Sequence, residues 1–132
     1  MLKKLIILFV VQFFIINSSI SMEKETTFNK KLFDKAQSEG KIVVVSSWIK
    51  YCSSCASQMK VLNKAKNDGK LLDIKFENIE YFSFDVTDKE IANLLNVKFQ
   101  TTLLIYKDNK EIYRSLGETT EDLIYQAIKK AI

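Results

Sequence analysis

Apolar residues open the chain as a block. Lys3 and Lys4 lead into a run from Leu5 to Ile16 broken only by Gln12, and Asn17, Ser18, Ser19, Ile20 and Ser21 follow. A charged start, an apolar stretch and a small, polar end is the order of a secretory leader, and Ser19 and Ser21 suit a cut before Met22. The run falls short of the about 20 apolar residues that a membrane-spanning helix needs. A signal peptide over 1–21 and a single domain over 22–132 are expected, with an uncleaved anchor and a buried core helix as the alternatives.

Beyond the leader the spacing changes. Phe28, Leu32, Phe33 and Ala36 recur at helical intervals and Gly40 follows, which predicts a helix over 26–39. Ile42, Val43, Val44 and Val45 form a continuous β-branched run, the pattern of a central strand buried on both faces. From Cys52 no Gly or Pro intervenes before Gly69, so a helix is expected from the cysteines to about Lys66, with Ala56, Met59, Leu62 and Ala65 among its residues. Residues 70–80 support no assignment, and 81–86, with the aromatics Tyr81, Phe82 and Phe84, reads as core strand.

Thr87-Asp88-Lys89-Glu90 has the form of a capping box in which Thr87 and Glu90 satisfy free amides, with Ile91, Leu94 and Leu95 as the buried stripe of a short helix. Residues 102–106 and 111–115 read as a hairpin turning at Asp108-Asn109-Lys110, and Gly117 ends it. Thr120 is the expected cap of a last helix that buries Leu123, Ile124, Ala127 and Ile128. The order α-β-α-β-α-β-β-α implies an α/β fold, a central mixed β-sheet with helices on both faces.

Composition narrows the function. The 132 residues carry a net charge of +4, and two of the 20 basic residues lie in the leader, so the domain shows neither a nucleic-acid footprint nor a polybasic membrane patch. No nucleic-acid partner is expected, membrane contact only through an uncleaved leader, and a monomer. The chain has two cysteines and no histidine. A structural zinc site wants four Cys or His ligands, so no metal and no cofactor is expected, and His-dependent acid–base and cysteine-protease mechanisms are excluded.

Cys52-Ser53-Ser54-Cys55 closes too small a loop for its disulfide to stabilise the fold much, which argues for exchange chemistry. An inert disulfide or unreactive thiol pair is the alternative. A thiolate is the attacking species, and a helix N-terminus lowers the thiol pKa. At the start of a helix Cys52 takes the place of the nucleophile and Cys55, one turn in, that of the resolving thiol. Ser53 and Ser54 could add hydrogen bonds, Trp48 and Tyr51 read first as packing around the motif, and Lys50 as a solvated charge.

The run Val43-Val44-Val45-Ser46-Ser47-Trp48-Ile49-Lys50-Tyr51-Cys52-Ser53-Ser54-Cys55 resembles the active-site strand and helix start of the thioredoxin-like family, with Trp48 and Tyr51 at its two aromatic positions. Asp85-Val86-Thr87, the stretch from Ile91 to Val97, and Thr101-Thr102-Leu103-Leu104-Ile105-Tyr106 resemble its second half. Among subfamilies the likeness is to periplasmic domains that carry electrons in transmembrane thiol-reduction systems. It implies a thioredoxin-like fold and a thiol–disulfide oxidoreductase, periplasmic or secreted, acting on protein thiols and disulfides as a reductant fed by a membrane electron donor. A binding module without turnover is the alternative.

Three positions depart from the family pattern. Ser46 stands where a buried aspartate usually assists the resolving thiol, Ser53-Ser54 replaces Gly-Pro, and Thr101 takes the place of the cis-proline that faces the disulfide. A cis bond before threonine would cost about 3–4 kcal/mol, so the Gln100–Thr101 bond should be trans and the loop reshaped. A hydroxyl there could stabilise the Cys52 thiolate, or leave room for a metal.

Overall fold

The computed structural model describes residues 25–67 and 78–132. The expected leader and most of the stretch left unassigned lie outside the described residues. The elements are α1 (Lys30–Ser38), β1 (Ile42–Trp48), α2 (Ser53–Asn67), β2 (Ile79–Asp85), α3 (Lys89–Leu94), β3 (Thr102–Lys107), β4 (Lys110–Leu116) and α4 (Glu121–Lys129), in the order the sequence predicts.

The strands form one sheet in the order β2-β1-β3-β4. β1 and β2 are parallel, joined across one face by α2, while β1–β3 and β3–β4 are antiparallel. Alternation along β1 divides the core. Val43 and Val45 pack with Phe33, Phe82, Phe84, Ala92 and Leu104 beneath α1 and α3. Ile42 and Val44 pack with Leu62, Ala65, Ile105, Ile124 and Ile128 beneath α2 and α4. The β3–β4 turn consists of Asp108 and Asn109, both at positive φ (50° and 61°), the geometry that two-residue hairpins favour. Residues 25–28 cover the outer edge of β2: the amides of Thr27 and Phe28 donate to the Ser83 carbonyl, and the Ser83 amide donates to Thr27 Oγ1.

Several local expectations are corrected. α1 begins at Lys30 rather than 26, because Asn29 caps it by accepting from the Leu32 amide at 3.1 Å, and Leu32 itself is exposed. α3 is capped by Asp88, which accepts from the Ile91 amide, whereas the Thr87 hydroxyl is turned to Asp85 Oδ1, to which it donates. The buried residues there are Ala92 and Leu95, with Ile91 half-buried and Leu94 exposed. Thr120 sits at the N-cap of α4 without a side-chain bond; its amide donates instead to Glu118 Oε1 at 2.6 Å, which holds the Glu118 carboxyl below its usual pKa. α4 buries Tyr125 rather than Leu123. Among the described residues no helix is long and apolar enough to cross a membrane.

Candidate active site

β1 carries the chain to Trp48, whose carbonyl accepts from the Val86 amide at 2.8 Å, so the strand's end is fixed against the loop after β2. The Trp48 indole N–H donates to the Glu25 carbonyl at 3.3 Å. Tyr51 turns the chain at φ 61°, is 91% exposed, and has the Lys50 ammonium 5.1 Å from its ring centroid. The turn places Cys52 immediately before α2.

There the two sulfurs meet different surroundings. Cys52 and Cys55 form a disulfide, Cys52 half-buried and Cys55 fully buried. The Cys55 amide, unpaired within the first turn of α2, donates to Cys52 Sγ at 3.2 Å. This is the contact that a helix start offers an anion, and it falls on the more exposed sulfur. Ser53 and Ser54 are both exposed, but only Ser54 is shown engaged with the site, its Oγ 3.4 Å from Cys52 Sγ.

Thr101 closes the site from the other side. The Gln100–Thr101 bond is trans, as expected, and the reshaping is a left-handed backbone at Thr101, φ 57°. For a β-branched residue this is a strained conformation, costing on the order of 1–2 kcal/mol. Three hydrogen bonds hold it: the Thr101 amide donates to the Ser47 carbonyl at 2.8 Å, and its carbonyl accepts from the Gly117 amide at 2.9 Å and from Gln58 Nε2 at 3.3 Å. The side chain faces the cysteines, with Oγ1 at 3.2 Å from Cys55 Sγ, 3.6 Å from Cys52 Sγ and 2.9 Å from Ser54 Oγ.

Ser46 is buried within β1 and brings no carboxylate to Cys55. Among the described residues no cluster of three or more His, Cys, Asp or Glu could hold a metal ion. Gln58 is the residue that sequence reasoning missed. It is fully buried on the inner face of α2 between Cys55 and Leu62, and its amide nitrogen bridges the carbonyls of Thr101 and Glu118. Those two carbonyls fix which end of the amide is nitrogen. The one available signal was its spacing, three residues after Cys55 and four before Leu62.

The family model described as Thioredoxin matches residues 19–130. The chain is similar to the H-type thioredoxin of Fagopyrum esculentum, 27% identical over 100 residues, 75% of this chain and 79% of that protein. Its fold is similar to the crystal structure of Trxlp from Edwardsiella tarda EIB202, with a TM-score of 0.66 and 23% identity, covering 76% of this chain and 93% of that one. It is also similar to the thioredoxin of Fasciola hepatica, with a TM-score of 0.59 and 23% identity over 77% of this chain and 89% of that one.

Proposed function

The chain belongs to the thioredoxin family and is a thiol–disulfide oxidoreductase with a Cys-x-x-Cys pair, and we propose that it serves as a protein-disulfide reductant in the cell envelope. Cys52 is the nucleophile and Cys55 the resolving thiol. The observation that carries the assignment is the asymmetry of the pair: the half-exposed sulfur of Cys52 receives the amide of the helix start, and Cys55 is buried behind it. A reduced Cys52 thiolate attacks the substrate disulfide and forms a mixed disulfide, and one substrate thiolate leaves. Cys55 then attacks Cys52 Sγ, the second substrate thiol departs, and the Cys52–Cys55 bond forms.

Trp48 and Tyr51 frame the approach, the exposed Tyr51 ring offering an apolar surface beside Cys52. The leader-like pattern of residues 1–21, Lys3 and Lys4 before an apolar run, supports an exported, periplasmic or secreted protein, and the likeness to electron-carrying domains supports reduction, with a membrane electron donor restoring the dithiol. The equilibrium reduction potential of the purified protein against glutathione or dithiothreitol tests the direction. A value near or below about −230 mV fits a reductant, and one near about −120 mV refutes that role in favour of an oxidant.

A second reading, a binding module without turnover, draws on the two departures at the site, Ser46 for the usual aspartate and Thr101 for the usual proline. A pair that fails to exchange with dithiothreitol would establish it. The mass of the exported chain tests the leader: loss of residues 1–21 is expected, and an intact leader would make it an anchor.

A further inference from the structure

The buried resolving thiol poses a problem that the usual residues of such a site do not solve here. Cys55 has no exposed surface, so its proton has no direct route to water when the sulfur attacks Cys52. Ser46 supplies no carboxylate, and the chain has no histidine. Thr101 Oγ1 lies 3.2 Å from Cys55 Sγ and 2.9 Å from Ser54 Oγ, and Ser54 is exposed at the start of α2.

From this geometry, and resting on the disulfide exchange proposed above, we infer that Thr101 and Ser54 form a two-hydroxyl proton relay that carries the Cys55 proton to solvent during resolution. A hydroxyl accepts and donates at once, so the transfer requires no ionised group in the buried site. As Cys55 Sγ bonds to Cys52 Sγ, its proton passes to Thr101 Oγ1, the Thr101 hydroxyl proton passes to Ser54 Oγ, and the Ser54 proton passes to water or to the departing substrate thiolate. The Cys52–substrate bond breaks with its electron pair on the substrate sulfur. In the reverse direction the same chain returns a proton to Cys55 as it leaves.

The conformation of Thr101 supports the assignment. Strained, non-glycine left-handed residues persist where surrounding bonds over-determine them, and they cluster at functional sites. Here the amide and carbonyl of Thr101 are held by Ser47, Gly117 and Gln58, leaving the hydroxyl to join the sulfurs and Ser54.

Stopped-flow reaction of the reduced full chain with excess Ellman's reagent separates the steps. The first thionitrobenzoate is released by Cys52 attack, and the second when Cys55 displaces it from Cys52, with the proton going to water. Relative to the first phase, the second should slow about 10- to 100-fold in Thr101→Val and at least about threefold in Ser54→Ala, and recover to within about threefold of native in Thr101→Ser, the scale of a modest proton-transfer contribution. The solvent deuterium effect on the native second phase should involve more than one proton and should be smaller in Ser54→Ala.

A native ratio of phases in Ser54→Ala overturns the relay, as does a Thr101→Ser variant as slow as Thr101→Val, which would make the role of Thr101 structural. Should Thr101→Val not fold, Ser54→Ala and its deuterium effect decide alone. Absence of any first phase in the native protein would overturn the exchange reading itself, separately from the relay.

Discussion

Thr101→Pro, which would install the residue that the family resemblance places at this position, should destabilise the protein. Three contributions set the magnitude. The Thr101 amide donates to the buried Ser47 carbonyl at 2.8 Å, and proline has no N–H, so a buried acceptor loses this partner at a cost of about 1–3 kcal/mol. Proline holds φ near about −65°, far from the 57° observed, so the backbone at 101 must leave its left-handed conformation. The Gly117 and Gln58 bonds to the Thr101 carbonyl then lose their alignment, worth about 1 kcal/mol each. Against these, threonine's own strain of about 1–2 kcal/mol is relieved. The balance is about 3 kcal/mol of lost stability, or a fall in Tm of roughly 12 °C at about 4 °C per kcal/mol for a domain of this size. Thermal and urea unfolding of the oxidised proteins, followed by far-UV circular dichroism with Thr101→Ser alongside, measures it. A proline variant within about 1 kcal/mol of native would refute the claim that the Thr101 amide and its left-handed backbone hold this loop.

Phe84 is fully buried between α1 and α3, and Phe84→Ala should cost about 3–5 kcal/mol in urea unfolding; a loss below about 1 kcal/mol would contradict its place in the core. Arg114 pairs with both carboxylate oxygens of Glu111 and donates to the carbonyls of Leu95 and Asn96, tying β4 to the end of α3, so Arg114→Ala should lose about 1–2 kcal/mol while Glu111→Gln loses less. Burial raises both Tyr81 and Tyr106 to about 12, above the ordinary 10. Because the unfolded chain ionises these tyrosines first, the stability they contribute is complete below pH 10 and is lost as pH rises toward 12. Absorbance at 295 nm should show their ionisation coinciding with alkaline unfolding, and ionisation of either near pH 10 in the folded protein would contradict its burial.

The parts legible in the sequence are those where one local signal dominates. The β-branched run in β1, the hairpin at Asp108-Asn109 and the cysteines at a helix start each depend on residues adjacent in the chain. Misplaced features depend on a competition that adjacency does not resolve. Thr87 and Asp88 are both good caps, and the choice falls to Asp88 because Asp85 captures the Thr87 hydroxyl, which becomes visible only once β2 ends at Asp85. Leu94 and Leu123 look like core residues by spacing, yet α3 and α4 present Ala92 and Tyr125 instead, since a short helix's rotation is set by what it packs on. Gln58 gives no local sign of its role because its two acceptors, Thr101 and Glu118, are 43 and 60 positions away.

Thr101 shows why the site was only half legible. Its position opposite the cysteines follows from the resemblance, and its trans bond follows from the cost of a cis peptide before a non-proline residue. Its left-handed backbone follows from neither. That conformation depends on Ser47, whose carbonyl accepts from the Thr101 amide while its hydroxyl donates to the Phe99 carbonyl and accepts from the Thr102 amide. Ser47 thus binds the loop at residues 99, 101 and 102, and two of these bonds come from the adjacent amides of Thr101 and Thr102. A proline at 101 would delete one of those donors, so the hydrogen-bonded closure and a proline ring are alternative ways of seating the same loop. Any residue but proline would keep the 101 donor, so what this sequence adds is the Ser47 hydroxyl, which ties Phe99 and Thr102 on either side of that bond.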